Sequence, residues 1–476
     1  MTVEATGAAP TWVEFGRHLR SWRRRAGLTQ RQLGLRVGYH HSLISRLEAG
    51  TREPPAGLVR RLDALLETGG ALAAIVAAPL AGAYGPRHAP DRPRLFAAPP
   101  GSGTGGAGAG PDGLRPALDP VLWPAALPAE GLACPLHGTA GCAAPDRAAA
   151  PELLSALTAP QPRFADLTAR EPDLLHAATA ALACLIRGAL HQSTTDGVLV
   201  VERLLRAVVR WAEAADSAGP LPYGQLRIAA QYAQVAGRLR MQRGQSSIGM
   251  AWFGHGLGWA DAVRDTSARA TLLSDMCTLV RLDQDPASAL GYAEAIGAVD
   301  PRRRWAGTLS HLYQARCHAL GQGAAECRRH ITLARKGFAR LGHRDQLEAP
   351  WLAGAEGEMR MESAIGGALR DLAAATGDRA TARRAIDATA RSRAQVSPLM
   401  RGTHLLLTLR LADSWACAGD PGAAVALAAP VLQEAVGTRE LMVSSELGGL
   451  HERLFTHWAD APEVRAYQGR LAEARS

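Results

Sequence analysis

A chain of 476 residues exceeds one ordinary hydrophobic core, so two or three domains are expected. Its formal net charge is +9, and Lys336 is its only lysine, which excludes a G-x-x-x-x-G-K-[ST] phosphate loop. A Schiff-base lysine would have to be Lys336, which sits in LARKGFARL, an ordinary amphipathic helix pattern. Neither a G-x-S-x-G elbow nor an H-E-x-x-H helix occurs, so no enzyme is expected. The chain has seven cysteines, and Cys184, Cys277, Cys317, Cys327 and Cys417 lie in helical, alanine- and leucine-rich contexts. They read as small buried thiols in a reducing compartment rather than as a disulfide framework. No signal-like start is seen, and the apolar run ALAAIVAAPLA from Ala71 is 11 residues, too short to span a bilayer. A cytoplasmic protein without membrane association is the expectation.

Three zones succeed one another. Residues 11–80 are compact and basic: between residues 11 and 70 there are eleven arginines against five acids. That excess suits a polyanionic partner. Trp12, Phe15, Leu19, Trp22 and Ala26 recur at three and four residues, which predicts an amphipathic helix with Arg17, Arg20, Arg23, Arg24 and Arg25 outward. Thr29 and Gln32 form a T-x-x-Q capping box, so the next helix starts near Gln30. Gly38 stops it. A further helix runs from about His41 to Ala49, with Leu43, Ile44 and Leu47 on one face and His41, Ser42, Ser45 and Arg46 on another. The polar face carries no acid, and its side chains can meet base edges and phosphates in a major groove. PPAGLVRRLDALLE adds a helix with Leu58, Leu62, Leu65 and Leu66 inward.

Residues 14–66 resemble the helix-turn-helix domain of the Xre/Cro/C1 repressor family. The resemblance rests on F-G-x-x-L-R-x-W-R-R-R-A-G-L-T-Q-x-x-L followed by V-G-x-x-x-S-x-I-S-R-L-E-x-G-x-R-x-P. It implies a five-helix bundle in which residues 30–37 form the positioning helix and 41–49 the recognition helix. The DNA-facing candidates are then Thr29, Gln30, Arg31, His40, His41, Ser42, Ser45, Arg46 and Arg52. By the resemblance, Gln30 contacts a phosphate or the first base, His41 and Ser42 read bases, Ser45 is a third reader, and Arg52 contacts the backbone. Arg46 can read guanine or bind phosphate, and a capping or bracing role stays open for Ser45 and Arg46 alike. The chain departs from the family at His40, where a Ser or Thr cap is usual, and at Gly34, where Ala is usual, at a cost of about 0.5–1 kcal/mol.

Residues 81–150 are rich in Pro, Gly and Ala, with GSGTGGAGAGPDG from Gly101 as the extreme, and read as a flexible linker. Within them Cys134, His137 and Cys142 make C-x2-H-x4-C, with Asp146 nearby. Zinc needs four tetrahedral ligands; three are present, so an unliganded loop is the alternative and no cofactor is expected.

Residues 151–476 are helical by pattern. Turn signals recur at Arg243, Asp283, Gly321, Thr376 and Ala418, with gaps of about 40, 38, 55 and 42 residues. Helix-length segments flank each, which resembles tetratricopeptide (TPR) repeats with unequal units. The fold class expected is therefore all-α: a helix-turn-helix bundle, a linker and a TPR-like solenoid. Tyr232, Arg238, Trp252, His255 and Trp259 are the candidates for a ligand-lining groove, against the plainer reading of repeat-core packing. The layout resembles actinobacterial Xre-type regulators. It implies a homodimer on an inverted-repeat operator in double-stranded DNA, controlled by a peptide, small molecule or protein at the repeats. An interaction scaffold with secondary DNA contact is the alternative.

Overall fold

The computed structural model describes residues 12–37, 41–49, 54, 58–77, 118–127, 129–138, 140–191, 195–217, 221–397, 400–438 and 440–475. The chain divides into two compact units, the first built on the N-terminal helices and the second on most of the remaining chain.

Among its described residues the first unit holds five N-terminal helices, α1 (Trp12–Arg25), α2 (Gln30–Val37), α3 (His41–Glu48), α4 (Leu58–Leu66) and α5 (Ala71–Ala77), together with residues 280–289. Their inward residues meet in one core of Phe15, Leu19, Leu33, Ile44, Leu47, Leu58, Leu62 and Leu72, with Trp22 and Leu65 packed at its edge. Asp63 joins α4 to α5. Its carboxylate accepts from the amides of Leu72 (3.0 Å) and Ala73 (2.9 Å) and from the Thr68 hydroxyl, satisfying donors that a helix start leaves open.

Folded structure in the second unit begins inside the stretch that composition assigns to a linker. Residues 78–117, including the glycine-rich run, lie outside the described residues, but from Leu118 onward the segment is built. Asp119 caps a short 3-10 turn at Pro120–Leu122, and β1 (Ala126–Leu127) pairs antiparallel with β2 (Cys142–Ala143). Leu118, Leu127, Leu132 and Cys134 are buried. Averaged composition hides these few apolar anchors. It also hides borrowed donors: Arg227 and Gln231 supply hydrogen bonds to the carbonyls of Pro135 (3.2 Å) and Ala133 (3.1 Å).

Helices α6 (Ala150–Thr158), α7 (Phe164–Ala169), α8 (Glu171–His191) and α9 (Thr195–Ser217) come next. Then come α10 (Tyr223–Gln242), α11 (Ser246–Ala262), α12 (Thr266–Leu282), α13 (Pro286–Ala298), α14 (Arg304–Leu320) and α15 (Ala324–Phe338). The chain ends with α16 (His343–Glu348), α17 (Gly354–Thr376), α18 (Arg379–Ala394), α19 (Arg401–Ala418), α20 (Pro421–Ala428), α21 (Leu432–Gly437), α22 (Leu441–His457) and α23 (Pro462–Arg475). With one two-stranded ribbon among its described residues, the protein is all-α. Each of the five sequence turn signals falls at the junction of two helices, Thr376 and Ala418 being the last residues of theirs: α10 and α11, α12 and α13, α14 and α15, α17 and α18, α19 and α20. A left-handed residue sits in every one of these turns, at Gly244, Gln284, Gln322, Gly377 and Gly419. Small residues let paired helices approach: a Cβ at Gly237 of α10 would run into the Phe253 ring of α11 and lie 3.0 Å from the Gly249 carbonyl.

Buried charge ties later helices together. Arg370 of α17 pairs with Asp413 of α19 and, at 2.8 Å, with Glu446 of α22. Arg410 donates to Glu446 at 2.7 Å, and Arg453 pairs with Asp413 at 2.6 Å. The Asp413 side chain has no solvent exposure, so removing it leaves two guanidinium groups without their shared counter-charge. Asp413→Ala is expected to cost about 3–5 kcal/mol, read as a lower denaturant midpoint. In α22, His451 meets the Tyr467 hydroxyl at 2.9 Å, and burial, with Arg475 second, pushes its imidazole down to about 4. The unfolded imidazole takes a proton more readily, so this group's stabilisation is full above pH ~6.5 and is lost as pH falls toward 4. His451→Gln is expected to flatten the fall in melting temperature between pH 7 and pH 5 relative to wild type.

Candidate DNA-binding surface

The turn between α1 and α2 is fixed by local bonds. Gly27 takes φ +67°, and the amide of Leu28 donates back to the Arg23 carbonyl at 3.1 Å. The capping box forms as the spacing requires: the Gln32 amide donates to Thr29 Oγ1 (3.1 Å), and the Thr29 amide donates to Gln32 Oε1 (2.8 Å). α2 accordingly begins at Gln30.

α3 is seated by its apolar face, with Leu43, Ile44 and Leu47 buried, and Ser45 and Arg46 are exposed on the other side. At Arg31, His41 and Ser42 the backbone is described and the side chains are not. Positions 41 and 42 lie one helical turn before 45 and 46, on the same outer face by register. His40 and Arg52 lie outside the described residues.

Glu48, the last residue of α3, organises the unit. Its carboxylate has no side-chain exposure and is gripped at both oxygens by the Arg23 guanidinium, one bond being 2.9 Å. Gln30 Nε2 donates to it at 2.9 Å, and Arg20 lies 3.4 Å away. Burial pushes this carboxyl up. The bonds from Arg23 and Gln30, with the charges of Arg23 and Arg20, outweigh that and hold it below its ordinary range. One carboxylate thus joins α1, α2 and α3. The backbones of α1 and α3 also touch, because a Cβ at Gly16 would collide with the carbonyls of Leu47 and Glu48.

Two expectations change as a result. Arg23 is not part of the outward arginine face of α1; it is buried and also donates to the Leu28 carbonyl at 2.7 Å. The Gln30 amide faces Glu48 rather than standing open. Exposed cations do remain, at Arg17, Arg20, Arg24, Arg25, Arg36 and Arg46, and Arg25 lies over the Trp22 ring at 5.2 Å. Sequence reasoning missed Glu48. Its signal was there: the lone acid of α3 falls four residues after the buried Ile44, opposite an arginine-rich helix.

Elsewhere the candidate groove residues serve packing. Tyr232, Trp252 and Trp259 are buried; Tyr232 donates to the Ala178 carbonyl (2.8 Å) and Trp252 to Glu202 (3.0 Å). His255 lies between the two tryptophans, and Arg238 faces Asp275 at 3.6 Å. The three rings are packed inside, whereas His255 is half-buried and Arg238 is exposed. Among the described residues two side-chain groups have metal-ligand character: Cys134, His137, Cys142 and His176; and His318, Glu326 and His330. The fourth member of the first comes from α8, not from Asp146, whose carboxylate accepts the Ala148 amide at 2.9 Å. His176 carries no sequence signal beyond being a histidine in an apolar helix.

Residues 14–74 match the family described as a helix-turn-helix domain. No curated protein matches the chain, and no solved structure does. The match spans α1 to the middle of α5, so the N-terminal unit is a helix-turn-helix DNA-binding domain, and the protein is a DNA-binding regulator in general terms. No described helix is long and apolar enough to cross a membrane.

Glu48→Ala is expected to cost the N-terminal unit about 3–5 kcal/mol, because two arginines lose a buried counter-charge. Hydrogen exchange over residues 12–49 of the full-length chain would show the loss of protection. Unchanged exchange there would mean that the ion pair is not what holds α3.

Proposed function

We propose that the protein is an Xre-type, sequence-specific transcriptional regulator that binds an inverted-repeat operator as a homodimer. The observation that carries the reading is α3 itself. Its apolar face and Glu48 are locked into the domain, while Ser45 and Arg46 are exposed on the other face of the helix. A short helix so held suits a major groove, with Ser45 and Arg46 near base edges and, by register, His41 and Ser42 one turn earlier. Thr29, Arg31, His40 and Arg52 complete the proposed contact set. Gln30 reaches DNA only through its remaining amide oxygen or by leaving Glu48. A single recognition helix reads few base pairs, which is why two half-sites are part of the reading.

The helical hairpins of the second unit are proposed to act as a TPR-like module through which a peptide, small molecule or protein sets DNA affinity. Support comes from the regular placement of their turns and from close helix pairing. The repeats are not proposed to catalyse a reaction, and the protein is placed in the cytoplasm.

Selection of bound sequences from random duplexes at near-physiological salt, with the full-length chain, tests the reading. A recurrent palindrome is expected. Binding without an enriched sequence, vanishing as salt rises, would sink it. Arg46→Ala is expected to weaken the selected site by about 1–3 kcal/mol and relax preference at one position. A lowered salt slope with unchanged preference would reassign Arg46 to a phosphate.

A further inference from the structure

We propose that Cys134, His137, Cys142 and His176 bind one structural zinc ion. Three of these residues lie in a nine-residue loop and the fourth on α8, and their ligand atoms all fall within 4.8 Å of one another. The separations decide more than the proximity does. Zinc bonds of about 2.3 Å to sulfur and about 2.0–2.1 Å to nitrogen, in a tetrahedron, place nitrogens about 3.3–3.4 Å apart and sulfur about 3.5–3.6 Å from nitrogen. Here His137 Nδ1 and His176 Nε2 are 3.4 Å apart. Cys134 Sγ lies 3.5 Å from His137 Nδ1, and Cys142 Sγ lies 3.6 Å from His176 Nε2. Three edges of the ligand polyhedron thus have the lengths that a zinc tetrahedron dictates.

The loop is shaped for the same purpose. Cys134 and Gly138 exchange backbone hydrogen bonds (2.8 and 3.2 Å), closing a tight turn with Gly138 at φ +59°. Inside that turn the His137 amide donates to Cys134 Sγ at 3.4 Å. A thiol sulfur is a weak acceptor, whereas a metal-bound thiolate carries the charge that such an amide stabilises. Cys142 sits in β2, so the ribbon places the second sulfur. The two imidazoles stack at 15° with centroids 5.3 Å apart, presenting nitrogens to a common point.

Four protein ligands leave no open position, so the ion is structural rather than catalytic. Its work is to fasten residues 118–149, which have a sparse apolar core of their own, onto α8. Ligand binding free energy then becomes folding free energy for that segment.

The test uses the full-length chain, purified reduced and without chelator. Elemental analysis should give one zinc per chain. After exchange, Co2+ should show tetrahedral visible bands and a near-ultraviolet sulfur-to-metal charge-transfer band. His176→Ala, on α8, is expected to weaken Co2+ binding by more than the roughly 10–100-fold that an outer-shell change costs. Cys134→Ser should remove much of the charge-transfer intensity. Zinc-free protein that yields no tetrahedral cobalt spectrum would overturn the proposal. So would Co2+ uptake unchanged in His176→Ala, or a Cys134–Cys142 disulfide in the native chain. None of these readouts depends on DNA binding, so they stand apart from the regulator reading.

Discussion

A carboxylate removed from water must find its compensation nearby, and at Glu48 the compensation sets the mutual geometry of α1, α2 and α3. Arg23 comes from α1, Gln30 from the start of α2, and Glu48 closes α3. Each partner is satisfied only when the three helices hold one mutual arrangement. Apolar burial of Leu33, Ile44 and Leu47 supplies the bulk of the attraction but is tolerant of small shifts. The directional bonds to one buried carboxylate are not tolerant. A bidentate guanidinium contact adds angular constraint to attraction, which is why arginine rather than lysine suits position 23. The outward presentation of Ser45 and Arg46 results from this inner grip.

The same device recurs deeper in the chain. Asp413 and Glu446, shared among Arg370, Arg410 and Arg453, connect α17, α19 and α22. Glu202 does likewise for α9, α10 and α11, through Arg240 at 2.7 Å and the Trp252 indole at 3.0 Å. In a chain so rich in alanine, many helix–helix contacts bury few carbon atoms each, and non-directional packing alone discriminates weakly between registers. Buried ion pairs with several partners restrict the alternatives, at the cost of desolvation.

Much of this was legible in the sequence, for identifiable reasons. The Thr29–Gln32 box and the three- and four-residue spacing of Phe15, Leu19 and Trp22 are local, and local rules locate α1 to α3 closely. The turn signals at Arg243, Gly321 and Thr376 are local too. The features that were not legible depend on distant pairing. Arg23 looked like its exposed neighbours, because nothing at positions 20–25 says which arginine will meet Glu48, 25 residues away. At Tyr232, Trp252 and Trp259 spacing alone leaves core packing and a ligand groove both open, because an aromatic in a core and one in a groove have the same spacing. His176 lies 34 residues beyond Cys142. Composition, averaged over residues 81–150, concealed the few anchors that fold the segment from Leu118.

At Gly16 the absence of a side chain brings the backbone of α1 against the carbonyls of Leu47 and Glu48. With no intervening side chain to repack, α3 has no slack against α1: one cannot tilt without carrying the other. The helix that carries Ser45 and Arg46 is thus seated on α1 by direct backbone contact. A glycine on a different helix from every DNA-facing candidate thus helps to fix how α3 is presented.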